Sequence, residues 1–153
     1  ALGDWNVSGW MMGEVIPREH NHVRLHETLK DSNGMPQLVI STEWSENEDK
    51  MVLDFMEQLS EMFDKAGFKD IQARDSHANP GNDIHEMGGA RMGNDPKTSV
   101  LNQWNQLHAC KNVFVTDGAC MTSGSTQNPS LTYMAITARA ANYAVEELKK
   151  RNL

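Results

Sequence analysis

The chain has 153 residues, 39% of them hydrophobic, and carries 14 Lys and Arg against 21 Asp and Glu, a formal net charge of −7. That balance argues against a nucleic-acid or anionic-membrane partner, since either needs clustered Lys and Arg. One domain is the prior at this length, with room to bury about 68–70% of the unfolded surface.

The sequence shows no apolar run of about 18 residues and no basic segment followed by an apolar one, so neither a membrane span nor a signal peptide is read, and no compartment is indicated. Cys110 and Cys120 are too few for a disulfide framework and lie in no C-x-x-C pattern. They read as small buried side chains. The chain opens at Ala1 and lacks the Gly-rich strand-turn-helix fingerprint of a dinucleotide site, so it reads as an excerpt of a longer protein.

In chain order, Gly9–Pro17 is apolar and strand-like, and Asn21–Leu29 continues with Val23 and Leu25 alternating with polar residues. Asp31–Pro36, DSNGMP, is a turn, after which QLVIST resumes as an antiparallel partner strand. His20, His22 and His26 raise the possibility of a metal site. No carboxylate or cysteine completes a convincing ligand spacing, and a solvated strand end accounts for them, so no metal is expected.

Ser45 and Glu48 have capping-box spacing. Val52, Phe55, Met56, Leu59, Met62 and Phe63 then form the stripe of an amphipathic helix of about five turns that stops before Gly67. Its acidic flank reads as a solvated face. Phe68–Arg74 reads as a short strand and Ser76–Asp83 as a loop bordering the entrance to whatever site His85 serves. Val113, Phe114 and Val115 suit a strand covered on both faces.

The most informative stretches come last. His85–Gly93, HEMGGARMG, sets a histidine beside two glycines and an arginine. Val115–Ala141 supplies Asp117-Gly118, a loop of small residues, and Asn128-Pro129 opening a helix that runs to about Asn152. Asn128 suits the cap and Pro129 the first helical position, while Leu131, Met134, Ala135, Ala138 and Ala141 follow at helical spacing as the apolar stripe. A helix start carries roughly +0.5 elementary charge and unpaired N–H groups, which favour negative charge in front of it.

The run H-x-x-G-G-x-R-M-G-x-D-P, then N-V-F-V-T-D-G, then N-P-S-L-T, resembles in order and spacing the C-terminal signature of the glucose-methanol-choline (GMC) flavin oxidoreductases. A looser likeness, P-x-x-x-N-x-V-x-L at Pro17, Asn21, Val23 and Leu25, extends it upstream. The resemblance implies an α+β fold: an antiparallel sheet of the substrate-binding domain packed with helices, plus a returning strand and C-terminal helix that belong to the FAD domain. Residues 1–84 would supply sheet and amphipathic helix, and residues 85–153 the histidine motif, last strand and last helix.

It further implies FAD, bound mainly by an N-terminal part, with His85 and Asn128 as the catalytic pair and Asp117, Gly118, Asn128, Pro129 and Thr132 as cofactor contacts. The reaction is oxidation of a CH–OH group of an alcohol or sugar, in which an imidazole takes the proton and an amide orients the oxygen. The fragment alone is expected to be inactive and to self-associate through uncovered apolar surface. A non-catalytic carbohydrate-binding module on the same fold is the alternative. Arg91 reads equally as part of the site and as a structural clamp for nearby carboxylates, and His108 and Tyr133 read as structural.

Overall fold

The computed structural model describes residues 3–76, 78–82 and 84–153. It is a mixed α+β arrangement: strands β1 (His22–Lys30) and β2 (Pro36–Ser41), helix α1 (Glu46–Lys65), a short 3-10 turn at Gly118–Cys120, and helix α2 (Ser130–Lys149).

β1 and β2 pair antiparallel, with Val23 opposite Ile40 and Leu25 opposite Leu38, and the register slips between Leu25 and Lys30. Two backbone N–H groups near the slip, those of Thr28 and Leu29, donate to the ring of His26 at 3.2 and 3.0 Å, so an imidazole stands in for the missing ladder partner. The expected turn is present: Asp31 Oδ1 accepts from the N–H of Asn33 and Met35.

α1 is finished at both ends by its own sequence. The Ser45 N–H and hydroxyl both donate to Glu48, completing the capping box. At the other end Gly67, at φ +87, lets its N–H reach Asp64 O and the N–H of Phe68 reach Phe63 O. The rings of Phe63 and Phe68 meet at 5.3 Å, closing the apolar contact such a helix stop makes.

Several sequence expectations are corrected. Gly9–Pro17 is an unpaired extended strap. It runs antiparallel along α1, with Gly9 against Leu59, Gly13 against Met51, and the Ile16 N–H donating to Glu48 at 3.2 Å, so a helix flank takes the place of a neighbouring strand. Phe68–Arg74 is irregular, with Asp70 at φ +55, a backbone state a strand does not contain. The run at Val113–Val115 makes one bridge, Phe114 to Gln106, and Val113 is 40% exposed: among the described residues nothing covers both of its faces. Cys110 is exposed, whereas Cys120 is buried, and both are free thiols. Of the loop at Ser76–Asp83, His77 and Asp83 lie outside the described residues.

α2 carries apolar residues on two faces. The inward residues are Tyr133, Ile136, Ala140 and Tyr143, with Tyr143 stacked on Trp104 at 4.8 Å and edge-on to Phe114 at 6.3 Å. Leu131 and Met134, members of the apolar stripe read from the sequence, are 79% and 68% exposed and form the outer face.

The buried centre is small and partly polar: Leu101, Cys120 and Ala140 with Asn105 and Gln106. The two amides are fully engaged, Asn105 with Val115 O and Arg139, Gln106 with Lys111 O and Asn102. The accessible surface is 12072 Å², against roughly 7,800 Å² for a compact monomer of this mass. Burial therefore falls short of the expected fraction, and much apolar surface faces outward.

Candidate functional site

The site is built around the start of α2. Pro129 is the cap residue, at φ −88 and ψ 0, and no side chain makes a capping bond there. This shifts the sequence reading by one residue. Asn128 does not cap, because the ladder starts from the Pro129 carbonyl, which accepts from the Tyr133 N–H at 3.0 Å. Among the described residues the first N–H groups of the helix have no side-chain acceptor, and the exposed Asn128 amide is not spent on them.

The hollow in front of this helix start has a volume of about 160 Å³. Asn128, Pro129 and Thr132 form one wall; the loop residues Ser123, Gly124, Ser125 and Gln127, with Met121, form another; Glu14 closes the third. The loop is internally braced, since the Ser125 hydroxyl accepts from the Gln127 N–H at 3.2 Å and donates to its side-chain oxygen at 3.0 Å. The Ser123 hydroxyl donates to Glu14 Oε1 at 2.6 Å, tying the strap to the loop.

The histidine motif is stitched alongside. The N–H groups of Gly88, Ala90 and Met92 donate to the carbonyls of Gly118, Ala119 and Cys120 at 3.3, 2.8 and 3.0 Å. Gly88 sits at φ +88, where a side chain would be strained and would also crowd Thr122 O at 3.2 Å. A Cβ on Gly118 would lie 2.8 Å from both Glu86 O and the Tyr133 hydroxyl, so this glycine permits the motif and α2 to close on each other. Met87 fills the space between, receiving the Tyr133 hydroxyl at 3.6 Å and touching Gly124.

Of the sequence-predicted residues, the fold brings Asn128, Pro129 and Thr132 into the hollow. His85 is half-buried two residues ahead of Met87 and is not among the residues lining it. Asp117 is exposed and uses Oδ1 to accept from the Ala119 N–H at 3.0 Å, capping the 3-10 turn that begins at buried Gly118. Arg91 donates to Thr98 O at 2.7 Å and so clamps a backbone carbonyl in place of the expected carboxylate. His108 is held between Ser99 Oγ and Gly93 O, a structural role as expected.

Burial pushes the Tyr133 phenol up, reinforced by the charge of Asp117, which keeps it a donor toward Met87. Burial likewise pushes the Cys120 thiol up, so it is no nucleophile at neutral pH.

His20 pairs with Glu43 at 2.8 Å, His22 bonds His20 O at 2.7 Å, and His26 serves the β1 irregularity. Among the described residues no three His, Cys, Asp or Glu side chains converge to hold a metal ion. Nor is any described helix long and apolar enough to cross a membrane.

Sequence reasoning missed Glu14 and Ser123. The available signal was a lone charge inside the otherwise apolar WMMGEVIP.

The profile of the GMC oxidoreductases matches residues 17–137, and the chain belongs to this family, aligning with its C-terminal portion. It is 36% identical over 135 residues to the 2-methyl-1,2-propanediol dehydrogenase of Mycolicibacterium austroafricanum, covering 88% of this chain and 24% of that protein. It is 31% identical over 137 residues to the fructose dehydrogenase large subunit of Gluconobacter japonicus, covering 90% and 25%. With the paromamine 6′-oxidase of Streptomyces fradiae it shares 34% identity over 137 residues, covering 89% and 25%. The chain spans about a quarter of the length of these relatives.

Proposed function

We propose that this chain is the C-terminal, substrate-binding and catalytic portion of an FAD-dependent oxidoreductase that oxidises a CH–OH group of an alcohol or sugar. The observation that carries the reading is the uncapped start of α2, with Asn128 and Thr132 beside it in one hollow, in a chain of this family. The activities for which the relatives are named, on 2-methyl-1,2-propanediol, fructose and paromamine, support an alcohol or sugar donor.

The residues present fit a flavin. A helix start left without a side-chain cap offers N–H donors, and Thr132 a hydroxyl, to an electron-rich carbonyl edge. Asn128, Pro129 and Thr132 would hold that edge, with Asp117 and Gly118 toward the ribityl and pyrophosphate region. FAD, held mainly by the rest of a protein of the relatives' length, supplies the two-electron acceptor when bound. On this reading the segment at Val113–Val115 and α2 pack with the FAD domain, and residues 1–84 with the substrate domain. The apolar outer face of α2 is the surface such packing would cover.

The chain's own residues then divide the work. His85 takes the hydroxyl proton of the donor, since a neutral imidazole is a base matched to neutral pH. Asn128 cannot titrate, and its amide holds the donor oxygen so that the carbon's hydrogen faces the acceptor.

In the full-length holoenzyme, His85→Ala is expected to lower kcat by roughly 10²–10⁴ at unchanged flavin content. A variant that keeps its kcat with full flavin occupancy removes His85 as the base. The isolated chain is expected to turn over little or no donor.

A further inference from the structure

The geometry points to Glu14 as a residue that sets donor specificity in the hollow before α2, selecting polyhydroxylated donors without negative charge; this rests on the oxidoreductase reading above. Glu14 comes from the strap along α1, far in sequence from the motif that carries the chemistry. The fold nevertheless sets it in the same hollow as Asn128 and Thr132.

Its carboxylate is fixed on one side only. Oε1 accepts from Ser123 at 2.6 Å, and Glu14 makes no other hydrogen bond or ion pair among the described residues. Among the described residues no Lys or Arg lines the hollow. Glu14 is exposed, so its second oxygen faces solvent, and a hydroxyl of a bound substrate can take the place of water as the donor to it.

The other polar groups of the lining are of mixed character: with Thr132 left to the flavin edge, they are the Ser125 hydroxyl and the Gln127 and Asn128 amides. A hydroxyl both donates and accepts, so a polyol can satisfy the carboxylate and these groups at once. A carboxylate-bearing sugar acid seated in the hollow meets a like charge with no cation among the lining residues. An ammonium group is tolerated on the same grounds.

The test uses the full-length holoenzyme and follows flavin reduction with a neutral panel (1,2-propanediol, glycerol, glucose, fructose), glucosamine as the cationic probe and gluconate as the anionic one. The wild-type protein is expected to prefer its best neutral or cationic donor over gluconate by more than tenfold in kcat/KM. Glu14→Gln is expected to lower kcat/KM for that donor about tenfold, chiefly through KM, and to raise the relative rate on gluconate by a similar factor.

Glu14→Asp should restore part of the discrimination. Ser123→Ala, which loosens the carboxylate without removing its charge, should raise KM for neutral donors yet keep gluconate excluded. These donor ratios are insensitive to a loss that is merely structural.

A wild-type preference for gluconate, or a neutral-to-anionic ratio that Glu14→Gln leaves unchanged at full flavin content, overturns the role of Glu14. Loss of activity in His85→Ala with that unchanged ratio leaves the oxidoreductase reading standing. If no donor reduces the flavin of the wild-type protein, both conclusions fall.

Discussion

α1 and α2 are both helices of 20 residues, yet they are finished in opposite ways. α1 has a capping box at its start, a glycine stop at its end and an apolar stripe that meets the strap at Met51 and Leu59, although Leu53 and Met62 are 62% and 55% exposed. α2 starts on a proline with no side-chain cap, and its Leu131, Met134, Val145 and Leu148 point outward, 50% exposed or more. A helix whose local needs are met by neighbours in sequence is scaffold. α2 differs in its positive end, which no side chain caps, and on the proposed reading that end and its outer face meet the flavin and its domain.

The largest effect that tests this contrast is association. Leu131 and Met134 each stand to gain about 1.5 kcal/mol or more when covered, so the isolated chain is expected to self-associate at micromolar concentration. The double change Leu131→Ser with Met134→Ser should shift it toward monomer in light scattering. A wild-type chain that scatters as a uniform monomer would show the outer face of α2 to be inert.

Next comes the lock between strap and helix. Burial by itself pushes the Glu48 carboxyl up, but hydrogen bonds from the Ser45 hydroxyl and N–H, the Ile16 N–H and the Asn47 amide outweigh it and hold the pKa at about 2, against 4.5 ordinarily. Because the folded value is depressed, the stabilisation is complete above the unfolded value of 4.5 and drains away as pH falls through about 2. Glu48→Ala should cost about 2 kcal/mol near neutral pH. In urea titrations the difference from wild type should shrink steadily on acidification below about pH 4. A gap of constant size down to the lowest pH would mean that the charge of Glu48 contributes nothing.

The smallest effect compares the two helix starts directly. Ser45→Ala is expected to cost about 1 kcal/mol, as for an N-cap serine. Asn128→Ala should stay within about 0.5 kcal/mol, since no capping bond is lost at α2. Equal losses at the two positions, read from urea midpoints, would erase the distinction.

Much of this is legible without coordinates where the deciding partners are close along the chain. Asp31 bonds residues two and four positions on, Ser45 answers Glu48 three positions on, and Phe68 closes on Phe63. The hairpin, α1 and both of its ends follow from such short-range pairs. The family motifs are similarly local runs, which is why His85, Asp117 and Asn128-Pro129 stand out as candidates.

Errors appear where the outcome depends on what lies across a gap. The apolar run at Val113 suggests a strand, but a strand exists only if a neighbour offers its ladder, and among the described residues only the short segment at residues 105–107 does, with a single bridge, Phe114 to Gln106. The Asn-Pro pair suggests an asparagine cap, but the chain enters the helix with the proline carbonyl leading the ladder.

The sequence by itself determined the hairpin turn, the whole of α1 and the membership of the chain in its family, because each rests on residues a few positions apart. Only the tertiary structure decided which apolar face of α2 turns inward, since both faces satisfy the same helical period and the stacking of Tyr143 on Trp104 selects between them. Only it could set Glu14 beside Ser123 across 109 residues. No local rule reaches that far, and the meeting of strap and loop comes from the path of the chain between them.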